Sequence, residues 1–227
     1  LSPKNFNQTN LRLPMRVWDL PIRLFHWIVV LLIIFSYVSV NYNWMELHLL
    51  SGYTVLTLLL FRLVWGVLGS DTARFGQFLR SPIAGFRHLA HFGRREPDDQ
   101  VGHNEAGGWM VLAMLLVLAV QVGTGLFAND DGSTYGPLEK YVGKDVSDRI
   151  SDYHGLNFYV LLTLICLHIL AITAYAAVKR HDLVRPMITG KKKLPAATRA
   201  PRMRSPVLAL AILAAAAAAV WLLANKA

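Results

Sequence analysis

Five long apolar runs alternate with polar segments along the chain, and their lengths decide what they are. A helix needs about 20 apolar residues to cross the hydrocarbon core of a bilayer, and residues 22–41, 48–68, 109–128, 154–178 and 206–224 each supply a run of that kind. The pattern predicts an all-α polytopic membrane protein: a four-helix transmembrane bundle over residues 15–190 and a fifth, C-terminal transmembrane helix within 206–227. The fifth run differs in character, with six consecutive alanines from Ala214 to Ala219 and no internal polar group. It reads as an appended anchor behind a basic, Pro-containing linker at 191–205. Residues 1–14 read as a disordered extension or a mis-assigned start, because Met15-Arg16-Val17-Trp18-Asp19-Leu20-Pro21 looks like a native beginning.

Composition agrees with the runs. With 54% hydrophobic and 16% charged residues and a mean hydropathy of +0.38, the chain is too apolar for an ordinary soluble domain. Its net charge of +9 does not point to nucleic acid, because the basic residues lie between membrane runs, where they set orientation. The N-terminal segment carries four Lys/Arg (Lys4, Arg12, Arg16, Arg23), the 69–107 segment five and the 179–205 segment nine. The opposite side has none in 42–47, three in 129–153 and one after the last helix. Positive charge is retained on the cytoplasmic side, so the expectation is a bacterial inner-membrane protein with its N-terminus cytoplasmic and its C-terminus periplasmic. The outer 129–153 segment holds Asp130, Asp131, Glu139, Asp145, Asp148 and Asp152 and is net acidic. Trp27, Trp65 and Trp109 at inner helix ends, with Trp44 and Trp221 at outer ones, fit an aromatic belt.

Ionisable side chains inside spans are functional candidates, and here they are histidines. His26 lies near the inner end of the first run, His48 at the outer end of the second, His154 at the outer end of the fourth and His168 farther along it. Fourteen residues of helix rise about 21 Å and return to within about 40° of the same face. His154 and His168 therefore share one face at two depths, which His48 and His26 match. Depth alone pairs His48 with His154 and His26 with His168. Facing helices suit the two axial positions of a haem iron, so two levels predict two b haems. A lone histidine at a helix end is more often an interfacial polar group; the matched set is what favours ligation. One cysteine, Cys166, and no C-x-x-C-H rule out covalent attachment to this chain, and Cys166 reads as a packed apolar residue. Spans almost free of Asp and Glu disfavour a di-metal carboxylate site.

Arg62 is also 14 residues from His48, on the same face near the inner level, where a haem propionate is its natural anionic partner. Gly52 lies one turn from His48 and leaves room for a planar cofactor, as do Gly123, Gly125 and Gly155; helix packing is the plain alternative. His88, His91 and His103 fall in the inner loop and read as solvated.

Several segments resemble the bacterial cytochrome b561 family, which includes the b-type cytochrome subunits of nickel–iron hydrogenases. They are residues 17–27 (Val17 to Trp27, ending Phe25-His26-Trp27), Glu46-Leu47-His48 to Tyr53, Phe61-Arg62-Leu63-Val64-Trp65-Gly66 and Gly102-His103-Asn104 to Trp109, followed by Thr124-Gly125-Leu126-Phe127, His154-Gly155, His168 and Leu183 to Gly190. The resemblance spans about residues 15–190 and implies a four-helix core with two bis-histidine b haems. Such a core works between a quinone pool and a partner redox protein, here a periplasmic c-type cytochrome or another redox subunit, and homo-oligomers are compatible with it. The same resemblance admits a self-contained quinol oxidase or superoxide:quinone oxidoreductase. A third class, a non-redox scaffold or transporter, would leave the histidines incidental. The fifth helix lies outside the family pattern.

Overall fold

Asp19 and Pro21 start the first membrane helix. The Asp19 side chain accepts the Ile22 backbone N–H at 2.8 Å, satisfying one orphan donor of the first turn, and a proline so near the start has no helical bond to lose. The computed structural model describes residues 11–79, 81, 83, 85, 93, 97–132 and 134–226. Its long helices are α1 (Leu20–Asn41), α2 (Met45–Leu68), α3 (Glu105–Gly125), α4 (Lys144–Ala174, continued by a π turn at Tyr175–Lys179) and α5 (Pro206–Lys226). All five are long and apolar enough to cross a membrane. Three residues join α1 to α2, with Asn43 in the left-handed region at φ 55°, and so short a link makes the two helices antiparallel neighbours. Helix α3 begins at Asn104, whose side chain accepts from Gly107 N–H at 2.7 Å.

Two apolar clusters hold the bundle. Val29, Val55, Leu58, Leu59, Leu115, Leu118 and Leu161 join α1 to α4, and Val17, Trp18, Ile22, Phe61, Trp65, Ala73, Leu194 and Ala209 close the end that carries the N-terminal strand. Large side chains such as Leu31, Ile34, Leu162, Leu170 and Leu210 remain exposed, the outward apolar faces that a lipid-embedded bundle needs.

The structure redraws several expected boundaries. Residues 12–14, expected in the extension, belong to strand β1 (Arg12–Arg16), which pairs antiparallel with β2 (Lys191–Pro195), expected as linker. Alternation explains why the basic run hides a strand: Leu194 points inward and is 0% exposed, while the lysines before it turn outward or sideways. Gly190, at φ +78°, makes the joint possible. Its carbonyl accepts from Val17 and Trp18 N–H, and a Cβ there would sit 2.8 Å from the Trp18 carbonyl oxygen.

The fifth helix is not a separate anchor. It packs along α2 and touches α1, burying Ala209, Ala216 and Val220, small residues that let helices approach closely. The rest of the linker is pinned as well, since the Arg202 and Arg204 backbone N–H groups donate to Asp71 Oδ2 (2.9 Å) and Ser70 Oγ (3.0 Å). Helix α4 starts ten residues before the expected 154. Its first turns are tied down by Ser147, which donates to the Phe127 carbonyl at 2.8 Å and accepts from Asn129. Trp65 is no belt residue: it is 0% exposed and its indole N–H donates to Asp19 Oδ2 at 3.0 Å. Cys166 is exposed and not packed in the core.

Candidate cofactor site

The four span histidines meet in the pairs that depth predicts. The His48 and His154 rings are 6.1 Å apart between centroids with planes at 87°, and those of His26 and His168 are 6.5 Å apart at 55°. A metal shared by two imidazoles lies about 2 Å from each ring nitrogen, with the ring centre about 1.2 Å beyond, so centroids across it stand roughly 6.4 Å apart. Both separations fit one metal between two rings.

Hydrogen bonding at the first pair fixes which nitrogen is free. His48 Nδ1 is 3.1 Å from the Ser36 carbonyl of α1, which can only accept, so the ring carries its proton there and leaves Nε2 bare. His154 Nδ1 is 3.1 Å from Thr124 Oγ1, while the Thr124 hydroxyl donates back to the Val120 and Gln121 carbonyls. The Gln121 amide nitrogen faces His154 Nε2 at 3.1 Å, and Asn157 holds that amide through its oxygen at 2.7 Å. His154 Nε2 is therefore unprotonated and accepts from the Gln121 amide, a bond that a metal at this nitrogen would replace. Ser36 and Ser51 hydroxyls, 2.6 Å apart, tie α1 to α2 beside this pair.

A cavity of about 530 Å³ opens here, lined by His48, His154, Gly52, Gly125 and Gly155 among others, within the usual size of cofactor sites. A Cβ built on Gly52, Gly123 or Gly155 meets nothing within 4 Å. Close helix packing is therefore not what these glycines serve. Gly125 is different, because a Cβ there would come 3.1 Å from the His154 ring, so this glycine makes space for the imidazole itself.

At the second pair, His26 Nδ1 is buried without a hydrogen-bond partner. Arg62 is 3% exposed, its guanidinium carbon 4.6 Å from the centre of the Phe75 ring and its Nη1 buried and unpartnered. Asp19 balances part of the Arg62 charge, but both Asp19 oxygens are taken by the Ile22 and Trp65 N–H groups. His103, expected in solvent, instead packs between Trp18 and Phe78, at 4.6 and 4.8 Å between ring centroids, with Nδ1 shielded and unpartnered. Burial first, and then the positive charge of Arg62, lower the pKa of this imidazole, so it stays neutral. His88 and His91 lie outside the described residues.

The four histidines, Arg62 and Gly52 were visible in the sequence. Ser36, Gln121, Thr124 and Asn157 were missed as functional neighbours, although polar residues inside apolar runs were signal enough. Asp19 carries no such signal, and His103, an inner-side candidate in the sequence, is buried only by tertiary packing.

Two facing imidazole pairs on membrane helices, with glycine-lined space beside one pair, suit haem held without covalent attachment. The family model described as prokaryotic cytochrome b561 matches residues 17–190. The chain belongs to the prokaryotic cytochrome b561 family. Comparison with curated proteins and with solved structures gave no match. As a cytochrome b561, the chain is a multi-pass membrane protein in contact with lipid, binds b-type haem and carries electrons across the membrane. The matched region ends before α5, so the helix that braces α2 is an addition to the family core.

Proposed function

We propose that this chain holds two b haems, one between His48 and His154 and one between His26 and His168. It passes electrons through them between the quinone pool and a partner redox protein, as the membrane subunit of a redox complex. The observation that carries this reading is the spacing of the two imidazole pairs, 6.1 and 6.5 Å, on helices that place the levels about 21 Å apart along α4. Histidines holding a haem from both sides would leave its iron no open position for oxygen or substrate, so the group would serve as an electron carrier. Arg62, buried with Nη1 unpartnered, takes a propionate of the second haem, and Gly52 leaves room for the first.

The distribution of Lys and Arg supports placing the His48 end at the periplasmic face of the bacterial inner membrane and the N-terminus in the cytoplasm. Quinone or partner exchange then falls at two places: the 69–107 segment with His103 and Trp109 on the inner side, and Tyr42 to Trp44 with the 129–153 segment on the outer. Within that acidic segment Lys144 engages Asp131 and Asp148, while Asp145 and Asp152 stay exposed, available to steer a basic periplasmic c-type cytochrome.

The purified protein should show a sharp reduced alpha band and two haems per chain by the pyridine assay. His48→Ala or His154→Ala should remove one haem, and His26→Ala or His168→Ala the other. Retention of both haems by any of the four would remove that residue from the ligand set. Arg62→Leu should lower one midpoint potential, and no shift would end its propionate role. Co-purification with a partner subunit separates the complex from a self-contained quinol or superoxide:quinone oxidoreductase.

A further inference from the structure

The end of the bundle that carries the β1–β2 ribbon gathers positive charge that the chain does not balance. In the antiparallel register Arg16 lies opposite Lys191 and Pro14 opposite Lys193, and residues opposed in this way share a face. Leu194, next along β2, points into the core, so alternation turns Arg16, Lys191 and Lys193 outward together. Like charges directly opposed cost stability unless an anion lies against them. Beside this face is a cavity of about 390 Å³ whose lining includes Arg12, Arg185, Lys191, Lys192 and Lys193, with Asp98 and Asp182 as its acids. Both acids already have donors. Asp98 accepts from Lys192 Nζ at 2.5 Å, and Asp182 accepts from the Val184 and Arg185 backbone N–H groups at 3.1 and 2.9 Å. Arg12 pairs with Asp99 at 2.9 Å. Arg185, Lys191 and Lys193 have no acidic partner among the described residues.

Apolar surface borders the same cavity where the spans begin. The short helix Val184–Thr189 lends Arg185 and Thr189 to the lining, while Val184 and Ile188, four residues apart and both exposed, share the neighbouring face. This helix is fastened to the first turns of α1: the Arg23 guanidinium donates to the Ile188 carbonyl, and the Trp27 indole N–H donates to the Met187 carbonyl at 3.3 Å. Leu20 and Leu24 of α1 are exposed as well. A free phosphate would use the cations alone; a lipid uses both surfaces. We infer that this cavity binds the headgroup of an anionic phospholipid, with its phosphodiester among Arg185, Lys191 and Lys193 and its acyl chains along Leu20, Leu24 and Ile188. Basic pockets at the ends of membrane helices suit such headgroups. The bound anion relieves the repulsion between Arg16 and Lys191 and so steadies the ribbon. The inference is independent of the number of haems and of the direction of electron flow.

The test is native mass spectrometry of the purified, haem-loaded protein in neutral detergent, supplied with phosphatidylglycerol or with phosphatidylcholine of identical chains. The wild type should retain the first and not the second. Arg185→Gln, Lys191→Gln and Lys193→Gln together should weaken that retention roughly 100-fold, given what each cation contributes beside an anionic headgroup. Arg185→Lys, Lys191→Arg and Lys193→Arg together should preserve it. So should Arg180→Gln, Arg199→Gln and Arg204→Gln together, which remove as much charge outside the cavity lining. The inference is overturned by equal retention of the two lipids or by equal losses in the two glutamine triples. Displacement of the lipid by inorganic phosphate or by polyglutamate at equal concentration would also overturn it, assigning the cations to a soluble anion or to an acidic protein segment. If the first glutamine triple does not fold, hydrogen exchange of the wild type decides. Amides of residues 184–193 should exchange more slowly in phosphatidylglycerol nanodiscs than in phosphatidylcholine ones, and equal rates would remove the site.

Discussion

Replacing Gly52 with leucine separates cofactor space from helix packing. A Cβ at this position meets nothing within 4 Å, and the residue lines the 530 Å³ cavity beside His48 and His154. The polypeptide alone therefore accepts a larger side chain, and gains helix propensity of about 0.8–1 kcal/mol when glycine becomes alanine and nearly as much for leucine. A haem in that cavity does not accept it. Forcing several methylenes against a rigid macrocycle costs about 1–3 kcal/mol, as overpacking does in a well-filled core. At 1.4 kcal/mol per factor of ten, haem affinity at that site should fall roughly 5- to 150-fold, while Gly52→Ala stays close to wild type. The assay is haem per chain by the pyridine method, alongside size-exclusion profiles of the detergent-solubilised protein at limiting haem. Full haem content in Gly52→Leu would refute the placement. So would a variant that aggregates before any haem is added, because it would return the glycine to a packing role.

Three further outcomes follow from the same geometry. Asp19→Ala removes the α1 cap, worth about 1 kcal/mol, and strands the buried Trp65 indole N–H, worth about 1–3 kcal/mol; unfolding in detergent should show a loss of roughly 2–4 kcal/mol, and a change under 0.5 would contradict the network. Gly190→Ala imposes a side chain at φ +78° and 2.8 Å from the Trp18 carbonyl oxygen, so the β1–β2 joint should lose at least about 1 kcal/mol, seen as faster proteolysis near residues 191–195. Asp71 is held below its usual carboxylate range chiefly by the Arg202 backbone N–H, against a smaller effect of burial and with help from Arg74 and Arg202. A lowered folded value means that this tether is complete above the ordinary carboxylate pKa of about 3.9 and is lost as pH falls through the folded value. Hydrogen-exchange protection of the Arg202 amide should therefore drop in the acid range in the wild type and be weak at every pH in Asp71→Ala; an acid-independent factor would disprove the tether.

Run length and charge settled the spanning helices and their number, because a bilayer leaves a chain few alternatives to about 20 apolar residues in helical form. The 14-residue interval between His154 and His168 placed them on one face at two depths, and counting depth on α1 and α2 supplied their partners, since helical rise is fixed. Helix starts were less legible. The polar turns from Lys144 to Asp152 carry no membrane signal, and their helix depends on Ser147 and Asn129 bonding across the chain.

Other features required the third dimension. The Lys191–Pro195 strand is stable because β1, about 180 residues earlier, supplies its hydrogen bonds, and no local pattern encodes a partner that distant. His103 became a neutral packed ring when Trp18 and Phe78 closed over it, and α5 became a brace when its alanines met α2. The hydrogen bonding of the histidine pairs is of this kind too. Sequence placed four imidazoles at two depths by the geometry of single helices, but which ring nitrogens find an oxygen depends on how α1 lies against α2 and α3 against α4, and only the folded bundle decides that.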